Sequence, residues 1–209
     1  MTTKTVWLYV LDTMSDWEPA YAVSGIGSTP FQLRPGEYVV RTASIGGRPV
    51  TTMGGVRILP DAALGDISPE GAAMLIVPGG ATWDDDSNRE AVEAARSFLK
   101  AGVPAAAICG ATAGFARAGL LDAVRHTSNS RDYLLATNYR GAALYEDAPA
   151  VTDGNVITAP GTGALEFALH IFRKLDVFAP DVTDAWYNLF KTGRPEYFDA
   201  IMRLTQEAR

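Results

Sequence analysis

The sequence predicts an α/β protein: helices packed on a mainly parallel central sheet. Three observations carry this. Residues 5–11 (TVWLYVL), 72–77 (AAMLIV) and 105–108 (AAAI) are continuous apolar runs, as in strands buried on both faces. Helical periodicity fills the segments between or after them. Strands alternating with helices place their ligands at the carboxyl ends of the strands.

In chain order, residues 5–11 form the first strand. The helix after it starts near Asp16. Ser15 and Glu18 have capping-box spacing, but that register puts Pro19 where its missing N–H forfeits the first intrahelical bond. An Asp16 cap suits the proline better and frees Glu18 to point elsewhere. Residues 37–61, rich in valine, threonine and glycine, predict a strand, a turn at Gly46-Gly47 and a second short strand. A helix over 87–102 opens with Ser87 and Glu90 in capping-box spacing. It sets Val92, Ala95, Phe98 and Leu99 on one face and stops at Gly102.

Further on, Asp153-Gly154 between two β-prone runs signals a hairpin. The helix over 162–175 is mostly apolar, with Glu166, His170, Arg173 and Lys174 as its solvated stripe. Beyond Pro180, two helical stretches carry Trp186, Tyr187, Phe190, Tyr197 and Phe198, expected to pack on the domain or on a second subunit. No repeat or linker divides the 209 residues, so one domain spans 1–209, with 176–209 a helical extension.

Composition narrows the function classes. A net charge of −6, from 18 basic and 24 acidic residues, argues against a nucleic-acid partner. The apolar run over 6–11 is too short to span a membrane and no small-residue cleavage site follows it. One cysteine makes no internal disulfide, which suits a reducing cytoplasm. One cysteine and two distant histidines are poor zinc ligands. Asp84, Asp85 and Asp86 lack calcium-loop spacing and favour the following helix N-terminus. "GTGALE" ends in Glu166, so the dinucleotide fingerprint is incomplete, and Gly161 relieves crowding near a pocket instead. Neither a metal nor a cofactor is expected.

The chemistry centres on Cys109, which ends a buried strand and precedes "GATAGFARAGLL", a helix. Strand, tight turn, nucleophile and helix form a nucleophile elbow. The turn lifts the side chain off the sheet, and the helix N-terminus favours a thiolate. The same position also suits an inert buried thiol.

"AAAICGATAGFARAGLLD" resembles the nucleophile segment of the ThiJ/PfpI superfamily, relatives of class I glutamine amidotransferase domains. "DTMSDWEPA", "LIVPGG" and "ITAPGTGALEFAL" match further family segments in the same order, covering residue 6 to about residue 175. The branch most similar is a bacterial one described as intracellular protease or amidase-like. The resemblance implies a flavodoxin-like three-layer sandwich and a homodimer. It implies Glu18 as hydrogen-bond partner of Cys109, and backbone N–H donors at Gly79, Gly80 and Gly110 for a developing oxyanion.

The family histidine is missing. Gly110 stands where many members place one, directly after the cysteine. In "AVRHTSNSRDYL", Asn129 stands where others supply it. His126 lies three residues earlier, on the opposite face of an extended segment, and is assigned a surface or structural role. A Cys-His-acid triad is therefore not supported. The expectation is a cysteine acting on a small carbonyl- or amide-type electrophile, whether amidase-, glyoxalase- or hydratase-like. A non-enzymatic thiol sensor of the stress-response kind, or a binding protein that kept only the fold, are the alternatives.

Overall fold

The computed structural model describes residues 3–207. Its strands are β1 (Lys4–Tyr9), β2 (Tyr38–Ser44), β3 (Val50–Thr51), β4 (Arg57–Ile58), β5 (Ala62–Ala63), β6 (Ala72–Val77), β7 (Ala105–Ile108), β8 (Val151–Asp153) and β9 (Val156–Ala159). Seven of them form one sheet in the order β5-β2-β1-β6-β7-β9-β8. Every neighbouring pair is parallel except β8 with β9. β7 is wholly buried and β6 nearly so, which is why both read as unbroken apolar runs.

The helices are α1 (Trp17–Gly27), α2 (Arg89–Lys100), α3 (Gly110–Arg117), α4 (Arg131–Leu135), α5 (Ala164–Leu175), α6 (Pro180–Thr192) and α7 (Pro195–Glu207). The chain steps one way along the sheet from β1 to β2 and the other way from β6 to β7. Right-handed crossovers therefore put α1 and α2 on opposite faces. α5 packs against α1, and α3 against α2, completing the three layers of a flavodoxin-like α/β fold.

Several expectations change in detail. After β2 a tight turn over Ile45–Gly47 carries the chain away, and β3 pairs antiparallel with β4 in a separate hairpin outside the main sheet. α2 begins at Arg89, after Asn88, whose side chain makes no cap bond, and it is Asp85, not Ser87, that caps the turn just before it. Its carboxylate accepts from the Ser87 N–H, and a single 3-10 turn over Asp86–Asn88 comes first. The Asn88 side chain is drawn to the Tyr9 hydroxyl at 2.7 Å and the Thr82 carbonyl at 2.8 Å. The hairpin at Asp153-Gly154 forms as expected.

The polar stripe of α5 is solvated only in part: Arg173 is exposed, but the Glu166 end is covered. Glu166 is buried and accepts hydrogen bonds from the Tyr187 hydroxyl at 2.9 Å and Lys191 Nζ at 2.6 Å, both on α6. His170 Nδ1 lies 2.8 Å from the Thr152 hydroxyl, and burial pushes its pKa down. Trp186 stacks edge-on against Phe172 at 4.8 Å between ring centres, seating α6 on α5. Residues 208 and 209 of the expected extension lie outside the described residues. Among the described residues, no helix is long and apolar enough to cross a membrane.

Candidate active site

Four adjacent strands, β1, β6, β7 and β9, each deliver one part of the site from the carboxyl end. Glu18 follows β1 on α1, Gly79 follows β6, Cys109 follows β7 and Gly161 follows β9. These lie beside the point where the strand order reverses, as in other open α/β sheets.

Cys109 has φ 59° and ψ −125°, a conformation that L-residues rarely adopt. Such a backbone costs of the order of 1–3 kcal/mol and persists only where its surroundings enforce it. Here they do. The Cys109 N–H is bonded to the Ala159 carbonyl at 3.0 Å, continuing the β7–β9 ladder to the elbow. The Cys109 carbonyl accepts from the Thr112 hydroxyl at 2.6 Å, and that hydroxyl also lies 2.6 Å from the Ser128 hydroxyl. The thiol is lifted off the sheet and half-buried, the elbow arrangement anticipated from the strand–helix boundary.

Glu18 is 1% exposed. Asp16 occupies the N-cap position of α1, yet its carboxylate does not cap that helix. It bonds instead to Thr52 Oγ1 at 2.5 Å and the Gly54 N–H at 2.7 Å on the β3–β4 hairpin. The Glu18 side chain turns inward, where Oε2 accepts the Gly79 N–H at 2.6 Å and Oε1 makes no full hydrogen bond. Burial pushes the Glu18 pKa up. The Gly79 amide and the side chains of Cys109 and Ser15 pull it part of the way back.

This corrects the role expected of Gly79. Its amide is committed to Glu18 and is not an oxyanion donor. Its lack of a side chain matters instead, because a Cβ there would lie 2.8 Å from Cys109 Cβ and 2.9 Å from Glu18 Oε2. Gly80 presses against the 11–13 turn, where a Cβ would approach Leu11 Cδ1 and the Thr13 carbonyl at 3.1 Å. Gly110 is covered by the Trp83 ring, and its amide favours the ionised sulfur.

The expectation of an acidic thiol is also corrected. Burial pushes the Cys109 pKa up, and the negative charge of Glu18 pushes it further. The Asn129 amide and the Gly110 N–H oppose this without reversing it. Two acids thus face one another in a site that solvates neither charge well.

Asn129 is brought to the sulfur. Its Nδ2 donates to Cys109 Sγ at 3.3 Å, and its Oδ1 accepts the Gly161 N–H at 2.9 Å. Gly161 packs on both reactive groups, since a Cβ on it would be 3.0 Å from Sγ and 3.3 Å from Glu18 Oε1. His126 is not brought to the sulfur, nor is it at the surface. It is fully buried, with Nδ1 2.7 Å from the Val124 carbonyl and Nε2 2.9 Å from the Tyr139 hydroxyl. A carbonyl only accepts, so Nδ1 carries the proton and Nε2 accepts from Tyr139. Burial pushes the pKa of this imidazole down.

Three residues near the site were not anticipated. Trp17 donates from Nε1 to the Gly161 carbonyl at 3.3 Å. Tyr133 on α4 donates to Asp84 Oδ1 at 3.4 Å, and its hydroxyl is pushed up to about 12 by burial, Asp84 and Cys109. The position of Trp17 directly before Glu18 was a usable signal. Tyr133 lies on the short helix α4 and Asp84 in the segment before α2, and the packing that brings them together leaves no trace in local sequence pattern.

Comparisons with known proteins agree with this fold. The family model of the DJ-1/PfpI family matches residues 4–174. An uncharacterized protease, YoaZ, of Bacillus subtilis is 42% identical over 205 residues, covering 97% of this chain and 98% of that protein. A glutathione-independent glyoxalase, DJR-1.2, of Caenorhabditis elegans is 31% identical over 140 residues, 66% of this chain and 72% of its own length. The crystal structure of a thiJ/pfpI family protein from Bacillus anthracis superposes with a TM-score of 0.89 at 42% identity, covering 97% of both chains. Matched over most of its length in sequence and in fold, the chain belongs to the DJ-1/PfpI family.

Proposed function

We propose that Cys109 is a nucleophile toward small carbonyl-type electrophiles, with Glu18 as its proton shuttle. One observation carries this reading: the buried Glu18 carboxyl has one oxygen fixed by the Gly79 N–H and the other left without a full hydrogen bond on the side of Cys109. Burial raises the pKa of both groups and the facing Glu18 charge raises that of the thiol further, so the thiol is activated by handing its proton to Glu18 as it attacks. As sulfur forms its bond to the carbonyl carbon, the S–H proton passes to the Glu18 carboxylate. The C=O π pair moves onto oxygen, Glu18 returns the proton there, and a hemithioacetal results. The Gly110 amide and the Asn129 side-chain amide are the donors nearest the developing charge.

Asn129 in place of a histidine weighs against hydrolysis, because an amide has no proton to exchange near neutral pH and activates no water. The glyoxalase relative therefore supports this reading better than the protease relative does. The single cysteine supports a cytoplasmic location and the family resemblance a homodimer, which sedimentation tests.

Turnover assays on small aldehydes, 1,2-dicarbonyls and amides decide the matter. Cys109→Ser is expected to abolish carbonyl turnover, and Glu18→Gln to lower kcat by about 100-fold or more. Undiminished turnover by Cys109→Ser overturns the proposal. If the wild type turns over nothing yet peroxide converts Cys109 to the sulfenic acid with release of water, the sensor reading replaces it.

A further inference from the structure

We propose that Trp17 is a specificity-determining residue that forms an aromatic wall of the substrate site, selecting uncharged electrophiles with a planar apolar group. This rests on the reading of Cys109 as nucleophile.

Trp17 is 55% exposed on the first turn of α1, one residue before Glu18. A tryptophan left half in solvent adds little to folding, since most of its apolar area stays wet. This one is nevertheless held in place. Its indole N–H is bonded to the Gly161 carbonyl, whose residue is in turn bonded through its amide to Asn129 and packed on Cys109 Sγ. Trp17, Gly161, Asn129 and the sulfur thus form one connected arc. With its polar atom satisfied, the indole offers only apolar surface to anything approaching the thiol.

The hairpin enlarges that surface. Asp16 spends its carboxylate on Thr52 and Gly54, and the Met53 N–H is bonded to the Met14 carbonyl. This holds Met53, itself 53% exposed, beside the start of α1. On another side stands Asp84, tied to Tyr133, while Glu18 lies beneath. The charged group facing Cys109 is Glu18, whose negative charge pushes the thiol pKa up beyond the effect of burial, while Arg117 acts on Tyr133. An anionic substrate would meet the Glu18 charge at the sulfur; a flat uncharged group meets an indole.

Because Cys109 is the only cysteine, thiol labelling reports this site alone. Second-order rate constants are measured for N-phenylmaleimide, N-ethylmaleimide, iodoacetamide and iodoacetate, each divided by its rate with a free thiol. The wild type is expected to favour the phenyl over the ethyl reagent, and iodoacetamide over iodoacetate. Trp17→Ala should lose the phenyl preference by about fivefold. Trp17→Phe should restore most of it, and thermal unfolding confirms that both variants fold. Labelling without phenyl preference, or with a preference that survives Trp17→Ala, overturns the inference and leaves the nucleophile standing. The same holds if Trp17→Ala changes only the oligomeric state. No labelling by any reagent overturns the nucleophile itself, and the inference with it.

Discussion

Cys109 and Glu18 meet where neither charge is well solvated, and their behaviour with pH follows from that. The folded-state pKa of Glu18 is raised above its unfolded value, so its ionisation opposes folding. Its contribution to stability is intact below the ordinary carboxylate pKa, about 4.3, and is lost as pH rises through the raised value. Glu18→Gln keeps an acceptor for the Gly79 N–H and carries no charge. It should therefore melt higher than the wild type at neutral pH and show no advantage in acid, as read by calorimetry across pH. Activity should move oppositely, rising in the wild type as Glu18 ionises to act as base, with that limb absent in the variant. Asn129→Ala removes a donor from the sulfur and should push the Cys109 pKa higher still, measurable by thiolate absorbance. At this scale the sequence was legible where residue types are rare, in the single cysteine, the glutamate before Pro19 and the asparagine in the histidine's place. The thiol's pKa direction was not, because burial and the facing carboxylate outweigh the helix N-terminus, and both arise from tertiary packing.

The elements bring their ends together by strand order. The strand-end turns have room for the thiol only because Gly79 and Gly161 lack side chains. Gly79→Ala would set a methyl group against Cys109 Cβ and the Gly110 amide, both backbone-anchored. It is expected to destabilise the fold by about 1–3 kcal/mol and to cost most of the reactivity of Cys109. Urea unfolding and maleimide labelling would check the two effects separately. The buried strands and the Asp153-Gly154 hairpin were legible because apolar runs and turn residues are local signals. The separate β3–β4 hairpin was not, because a glycine-rich stretch leaves pairing to tertiary contacts. The use of Asp16 to hold that hairpin likewise overrides a local capping preference.

At the scale of the whole molecule, the C-terminal helices are locked to α5 by a carboxylate of opposite character. Burial would raise the Glu166 pKa, but hydrogen bonds from Lys191 and Tyr187 hold it below the ordinary value. A lowered carboxylate stabilises the fold above its unfolded pKa and loses that contribution as pH falls through the folded one. Glu166→Gln should therefore melt several degrees below the wild type at neutral pH, with the gap closing in acid. Two glutamates on neighbouring helices thus give stability differences of opposite sign at neutral pH, that of Glu18 developing above the ordinary carboxylate pKa and that of Glu166 below it. The helical extension was legible from Pro180 and the aromatic spacing. Its anchor was not, since Glu166 looks solvated on the helix wheel until α6 covers it.

The central claim is that Cys109 and Glu18 form one proton-sharing unit. Titrating the thiolate absorbance of the single cysteine in the wild type and in Glu18→Gln tests it most directly. The account predicts a wild-type thiol above the free value of about 8.5, falling when the facing charge is removed. A thiol that titrates identically in both proteins contradicts it.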